Sequence, residues 1–519
     1  MVPSHCAAQD TAFLQCTSST PRTEHTLDGC RVGLGRVDIT PTSPGPTMGW
    51  GPMGQTRATP PSEAEQRLVV TALALEDARG QRIVLVNADL HAGGLHLWRA
   101  AVAASGLDPS RVVLCGTHTH EGPGQRYGGL MYTLMAGPSP MAPWASTRRL
   151  SALVAQAVRE SIEGLRPGGT AVVRPVVQGV ASNRGVPAWT HYDLATRERF
   201  LRRSEVHPAA PLSDRLRDPR VTLLLARSDD GSVEGALAWY AVHGTALGAD
   251  WPTYASDVWG PARVEAELDG ATVGFGGGSS GDISPLPLDE SGQRRKPDDG
   301  RPATQGRELA TIVGRRLGAA VRQAITQGRG EVAGFSVSVA HEQWAPHRSG
   351  LPGPMSGLAT AGGGVDGPTE RWGDVAAGVH APRYQAMEHR AYPEVSGHGP
   401  KVGILHAYTG APIPVGWLFR ALAPKRLPLH VVRVGEHTFA TVPGEATTMT
   451  GERIEAAVAS ASVHGTSASV IGFAGDYAGY WATPEEFQEQ RYEGASTIFG
   501  REAATQLMDR LVRLAAHTP

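Results

Sequence analysis

The sequence predicts an α/β fold, and three observations carry that expectation. Apolar runs of strand length alternate with segments of helical spacing through most of the chain. Glycine and proline, 64 and 39 residues respectively, punctuate the junctions between them. No stretch approaches the ~18–20 consecutive apolar residues of a membrane span, so the elements must bury their apolar faces against one another.

The elements follow in order. Residues 1–28 are polar and without periodicity, and are expected to form a mobile arm. The folded part opens at Arg31, where Val37 and Ile39 alternate in a short strand ended by Pro41. Gly49 to Gly54 form a turn-rich loop. Val69–Leu75 and Ile83–Val86 are predicted strands, the second running into Asn87-Ala88-Asp89, with a helix expected over Leu95–Ala104. Leu150, Leu153, Val154, Ala157, Val158 and Ile162 recur at helical spacing, as do Leu309, Ile312, Val313, Ala320 and Val321, and finally Leu507, Leu511 and Leu514. Val221–Leu225 and Ala236–Val242 are strand-like. Residues 285–305 are charged and proline-rich, an expected exposed loop, and residues 343–400 are rich in Gly and Pro, an expected functional loop or lid.

Composition narrows the function. Lys and Arg number 48 against 50 Asp and Glu, so no basic field for nucleic acid exists. Four cysteines in 519 residues make no disulfide framework, and Cys115 is expected as a small buried residue. No basic stretch followed by an apolar one marks the N-terminus, which predicts a cytoplasmic protein without a secretion signal.

Chemistry concentrates at element ends. Gly116-Thr-His118-Thr-His120-Glu121-Gly-Pro-Gly124 follows the apolar run Val112-Val113-Leu114. On an extended segment two histidines two apart face one side, and paired neutral imidazoles are a metal-site candidate as well as a hydrogen-bonding pair. Trp239-Tyr-Ala-Val-His243-Gly-Thr245 delivers a single histidine to a glycine turn, as structural residue or ligand. In Gly276-Gly-Gly-Ser-Ser-Gly281-Asp282-Ile-Ser284-Pro285 the glycines admit close backbone approach to a ligand, and Ser284 is a nucleophile, a proton relay or a Ser-Pro turn. Val442-Pro-Gly-Glu445 sets a carboxylate at a strand-to-helix turn, where it caps a helix dipole or binds a metal. Tyr477 and Tyr480 offer phenols as ligands, oxyanion donors or core.

Taken in order and spacing, these segments resemble the catalytic domain of the neutral, non-lysosomal ceramidases from about Arg31 to about Gly500. The family's motifs stand here as V-G-x-G-x-x-D-I-T from Val32, T-H-T-H-x-G-P-G, W-x-A-V-H-G-T, G-D-I-S-P, the loop Gly364-Val-Asp366-Gly-Pro368, V-P-G-E-x-T-T-M, and a tail from Glu485 to Gly500. The resemblance implies layered mixed β-sheets flanked by helices, and a single catalytic domain over residues 29–519. It implies one catalytic zinc ion held by His118, His243, Glu445 and Tyr480. His120, Arg184 and Tyr492 fall to the substrate or oxyanion side, and Ser284 to the catalytic serine. Gly281 and Asp282 flank that serine and are expected on the substrate side. Two imidazoles, a carboxylate and a phenol are a donor set suited to zinc.

The sequence also departs from the family. Ceramidases carry a further β-sandwich domain, which is not expected in a chain ending at Pro519. Glu121 stands where serine is usual, either to pair with a cationic amine of the substrate or as a solvent-facing residue. The expected function is a zinc-dependent amidohydrolase cleaving a small or lipid-like N-acyl amide, ceramide by resemblance. Alternatives are an intracellular acyltransferase or cyclase using the same site in a biosynthetic pathway, or a zinc-binding protein without turnover.

Overall fold

In a computed structural model of the chain, the described residues are 29–51, 54–137, 144–285, 303–328, 333–357, 359–362, 398, 399, 401, 421–462 and 467–518. The expected N-terminal arm, the Asp366 loop and most of the predicted lid lie outside them.

Two sheets pack face to face, with helices on their outer faces. The first has eight strands in the spatial order Thr272–Gly277, Val233–Tyr240, Thr222–Ser228, Arg166–Val173, Arg31–Asp38, Val69–Glu76, Arg82–Ala88 and Val112–Gly116. Its inner pairs are antiparallel, while the pair at each edge is parallel. The second has four strands, ordered Val337–Trp344, Leu427–Val434, His437–Thr441 and Ser467–Ile471, the last pair again parallel.

Strand alternation explains the layering. Leu73, Leu75, Ile83 and Leu85 face Val337, Val432, Phe439 and Ile471 of the second sheet. Their neighbours Val70, Ala72, Ala74, Val84 and Val86 face the helices Leu95–Ser105 and Trp144–Glu163. Such strands are apolar on both faces, and so read as near-continuous runs. Helices Trp259–Ala266 and Ala303–Gln327 cover the remainder of the first sheet. Thr448–Ala461 and Ala503–Ala516 cover the second.

The V-G-x-G spacing has a packing cause. A Cβ at Gly33 or Gly35 would lie 2.2 Å from the carbonyl oxygen of Ser161 or Ala157 respectively, so only glycine lets helix Trp144–Glu163 sit this close to the strand.

The first sheet curls until its edges meet: Asn87 Nδ2 donates to the Gly274 carbonyl at 3.1 Å. The four strands at those edges, and the parallel pair of the second sheet, each lead within a few residues to one polar cluster. Ala88 leads to His91, Gly116 to His118, Tyr240 to His243, Gly277 to Ser284, Thr441 to Glu445 and Ile471 to Tyr477. Ligand sites beyond the carboxyl ends of parallel strands are a general consequence of such sheets.

The predicted strands and helices coincide with observed ones to within a few residues, with Ile39, Val221, Ala241 and Val242 falling just outside the observed strands. Two expectations are corrected. The region 285–305 is not loop throughout, since a helix opens at Ala303. His118 is not on a strand: extension stops at Gly116, and His118 has φ 64°, a left-handed conformation. No helix among the described residues is long and apolar enough to cross a membrane.

Candidate active site

His118, His243 and Glu445 converge. His118 Nε2 lies 3.5 Å from Glu445 Oε1, and His243 Nε2 lies 3.0 Å from Oε2. All three side chains are buried. Backbone bonds hold the loops that carry them. The N–H of His118 donates to Leu90 O at 2.9 Å, that of His120 to Gly244 O at 3.1 Å and that of His243 to Ile283 O at 3.1 Å.

The second ring nitrogens decide the chemistry. His118 Nδ1 is 2.9 Å from the His91 carbonyl and His243 Nδ1 is 3.1 Å from the Ile283 carbonyl. A carbonyl only accepts, so each Nδ1 carries the hydrogen and each Nε2 presents a bare lone pair. Burial holds the pKa of His243 below the usual value, keeping it neutral. Burial disfavours the Glu445 carboxylate; positive charge and hydrogens on the facing His118 and His243 rings would hold its pKa well below the usual range, so with both rings neutral that support has to come from another cation. Two lone pairs thus face a carboxylate with no hydrogen between them. Glu445 Oε2 finds no hydrogen-bond partner of suitable angle among the described residues. The arrangement fits a divalent cation with imidazole and carboxylate ligands.

Tyr480 is set beside Glu445 by register. Glu445–Ala446 and Tyr480–Trp481 form a two-strand parallel pair in which Glu445 faces Tyr480. Gly444 makes this approach possible: its φ is 141°, and a Cβ there would lie 2.1 Å from the Gly479 carbonyl. The Tyr480 hydroxyl accepts from Arg184 Nη2 at 3.0 Å, whereas it is Tyr477 whose hydroxyl donates to Glu445 Oε1. Burial, with the Glu445 charge, keeps Tyr480 a protonated phenol.

Arg184 is held from three sides. It donates to Glu493 Oε1 at 2.8 Å, to the Gly281 carbonyl at 2.7 Å and to Tyr480, and its guanidinium lies 5.3 Å from the Tyr492 ring centre. Tyr492 packs edge-on to Tyr480, with ring centres 5.3 Å apart. His120 Nε2 lies 3.2 Å from His118 Nε2, which brings the histidine pair together through the left-handed turn at His118 rather than through strand alternation.

Ser284 is buried in the two-residue strand Ile283–Ser284, paired with Ser182–Asn183, directly after the carbonyl that receives both N–H groups of His243. It is therefore part of a ladder, not a Ser-Pro turn.

The structure gives the expected substrate-side residues Gly281 and Asp282 partners inside the fold. Asp282 Oδ1 accepts from Thr448 N and Thr448 Oγ1 at 2.8 and 2.9 Å, and Oδ2 from Asn183 Nδ2 at 2.6 Å. The Gly281 N–H donates to Ala446 O at 2.9 Å. These two tie the Ser284 loop to the N-terminus of helix Thr448–Ala461.

Glu121 is not solvent-facing: it is 1% exposed. Its Oε1 accepts from Trp50 Nε1 at 2.8 Å, and Trp50 packs edge-on against His120 with ring centres 4.8 Å apart. Burial, reinforced by nearby Asp257, raises its pKa well above the usual carboxylate range.

Sequence reasoning passed over His91, Trp50 and Glu493. His91 carried a usable signal, a histidine three residues past the end of a buried parallel strand. Trp50 and Glu493 act through partners distant in sequence, which no local pattern reveals.

The chain is similar in sequence to known neutral ceramidases. A neutral ceramidase of Drosophila pseudoobscura pseudoobscura is 28% identical over 93% of this chain and 74% of its own. That of Pseudomonas aeruginosa is 27% identical over 91% of this chain and 69% of its own. Among solved structures, a ceramidase complexed with C2 superposes with a TM-score of 0.71 at 23% identity, covering 94% of this chain and 75% of that one. The crystal structure of the Pseudomonas aeruginosa neutral ceramidase gives 0.67 at 22% identity, covering 94% of this chain and 74% of that one. These two likenesses bear on the fold, which is that of layered mixed sheets between helices. Residues 30–289 and 332–509 match the N-terminal part of the neutral/alkaline non-lysosomal ceramidases, and the chain belongs to that family.

Proposed function

We propose that this protein is a zinc-dependent amidohydrolase that cleaves the amide of ceramide or a closely related N-acyl amine. The observation that carries the reading is the convergence of two Nε2 lone pairs on the Glu445 carboxylate, each imidazole locked in its tautomer by a backbone carbonyl. His118, His243 and Glu445, with Tyr480 as a fourth ligand, would hold the zinc. Bound there, zinc polarises the scissile carbonyl and brings the pKa of a water to about 7.

The chain's own groups supply the remainder. Arg184 and Tyr492 stand on the Tyr480 side of the cluster and His120 on the His118 side. In this reading they donate to the carbonyl oxygen as it gains negative charge; loss of one such donor costs on the order of 100-fold or more in rate. Ser284, beside His243, supplies an O–H that attacks the acyl carbon or orients the attacking water. The C–N bond breaks as a C–O bond forms, and the proton of the attacking O–H goes to the leaving amine; where Ser284 attacks, a water then cleaves the resulting ester, freeing the acid and returning the serine its proton.

The test is mass-spectrometric analysis of zinc-loaded protein with short- and long-chain N-acyl amides, ceramide included, with and without free amines. His118→Ala is the control. Release of free acid and amine, absent in the control, is expected. Silence on every substrate overturns the reading. New amide in place of acid identifies an acyltransferase or cyclase.

A further inference from the structure

His91 belongs to no ligand set described so far. Its carbonyl accepts from His118 Nδ1, and its ring centre lies 4.4 Å from that of His118 and 5.4 Å from that of His120. Its own Nδ1 lies 2.6 Å from the Tyr127 hydroxyl. A hydroxyl both donates and accepts, so Tyr127 accommodates the tautomer that bares Nε2.

One ring nitrogen from each of His91, His118 and His120 lies within 4.8 Å of the others, and the same holds for the ligand atoms of His118, His243 and Glu445. His120 is buried, with its Nδ1 lacking a partner among the described residues, and its Nε2 is 3.2 Å from His118 Nε2. Three neutral imidazoles around one point are a sufficient protein ligand set for zinc.

His118 is common to both groups. Its Nδ1 is committed to the His91 carbonyl, so one Nε2 lone pair serves both. A single lone pair binds one ion at a time, which makes the two positions alternatives rather than halves of a two-metal centre.

We propose that His91, His118 and His120 form a second, all-imidazole position for a divalent transition-metal ion, alternative to the His118, His243 and Glu445 position. The proposal rests on the zinc reading above only through the shared His118. With no carboxylate, the second position favours ions that accept imidazole, such as zinc or cobalt(II), over the oxygen-seeking magnesium and calcium. An ion there also engages His120, withdrawing it from the substrate.

The experiment titrates the full, chelator-stripped chain with cobalt(II), read by calorimetry and visible absorption. Glu445→Ala and His243→Ala each disable the first position. Both variants are expected to retain an equivalent of ion, and adding His91→Ala to either should weaken binding by on the order of 100-fold or more. If both single variants bind no better than His118→Ala while the native chain binds, the second position is overturned and the zinc reading stands. If the native chain binds no ion, both fail. His91→Cys combined with Glu445→Ala leaves the second position as the one available, and a cobalt–thiolate charge-transfer band is expected. Its absence also overturns the proposal.

Discussion

His118 and Phe473 stack with ring centres 4.1 Å apart and 16° between planes, and both hold left-handed backbone conformations, φ 64° and 53°. Such conformations cost of order 1–3 kcal/mol each and persist only where the surroundings over-determine them. Here Phe473 N donates to Gly444 O, while its carbonyl accepts from Gly93 N and Gly116 N. The Phe473 turn therefore joins the Glu445 loop to the His118 loop, and its ring sets the plane of the His118 imidazole.

Phe473→Ala should lower stability by about 3–5 kcal/mol, the usual cost of truncating a buried aromatic ring. Zinc affinity should fall about 10–100-fold, the usual effect of losing an outer-shell support. Urea unfolding and metal titration of the same variant check both. An unchanged metal affinity would show that His118 is oriented by its backbone bonds alone.

Arg184 and Glu493 form an ion pair at 2.8 Å, with side chains only 8% and 10% exposed. Removing one partner from a buried pair leaves an uncompensated charge, typically costing about 3–5 kcal/mol. Glu493→Ala should therefore destabilise the fold. In the proposed mechanism it should lower kcat about 100-fold with little change in KM, because Arg184 is misplaced rather than lost. Glu493→Gln keeps an acceptor and should recover part of kcat. A KM effect without a kcat effect would move Arg184 from the reacting carbonyl to substrate binding.

Asp476 is buried and accepts from Leu95 N at 3.3 Å and from Gly128 N at 3.1 Å. Burial raises its pKa from 3.8 to about 6. Because the folded pKa is the higher one, the folded state favours the protonated acid. Its contribution to stability is fully present below pH ~4 and lost as pH rises through ~6. Asp476→Asn mimics the protonated acid at every pH. Its stability relative to the native chain should thus rise by about 3 kcal/mol between pH 4 and pH 7, read from urea curves across that range. A pH-independent difference would show that the carboxyl is ionised throughout.

Much of this site was legible because its ligands lie on short, motif-bearing turns. The H-x-H pair, His243 and Glu445 each follow a strand end and carry glycine beside them. What the pattern misjudged was the backbone. Alternation predicts a common face for His118 and His120, whereas the left-handed turn at His118 creates it. The second sheet was harder to see. Leu427–Val434 opens with Leu-Pro and contains His430 and Arg433, so its period is blurred, and its partner Val337–Trp344 lies more than eighty residues away in sequence. The predicted role of Glu121 turned on burial, which depends on Trp50 and Asp257 folding over it.

Glu121 supports the sharpest test of substrate selection. If it anchors a cationic amine it must be ionised and free to reach the substrate. In the structure Oε1 accepts from Trp50 Nε1, Oε2 lies 3.4 Å from Thr119 Oγ1, and burial with Asp257 drives the carboxyl toward its neutral form. A neutral carboxyl acts through its hydrogen bonds, and glutamine reproduces the acceptor that Trp50 needs. Glu121→Gln should therefore keep kcat/KM within about 3-fold of the native value, under 1 kcal/mol. Glu121→Ala leaves the indole N–H unpaired beside His120 and should cost about 1–3 kcal/mol in stability, with a fall in kcat as the imidazole loses its edge contact. Kinetics of the two variants on amides with charged and uncharged head groups separate the alternatives. A large KM increase for Glu121→Gln, confined to cationic substrates, would establish the ion-pairing role instead.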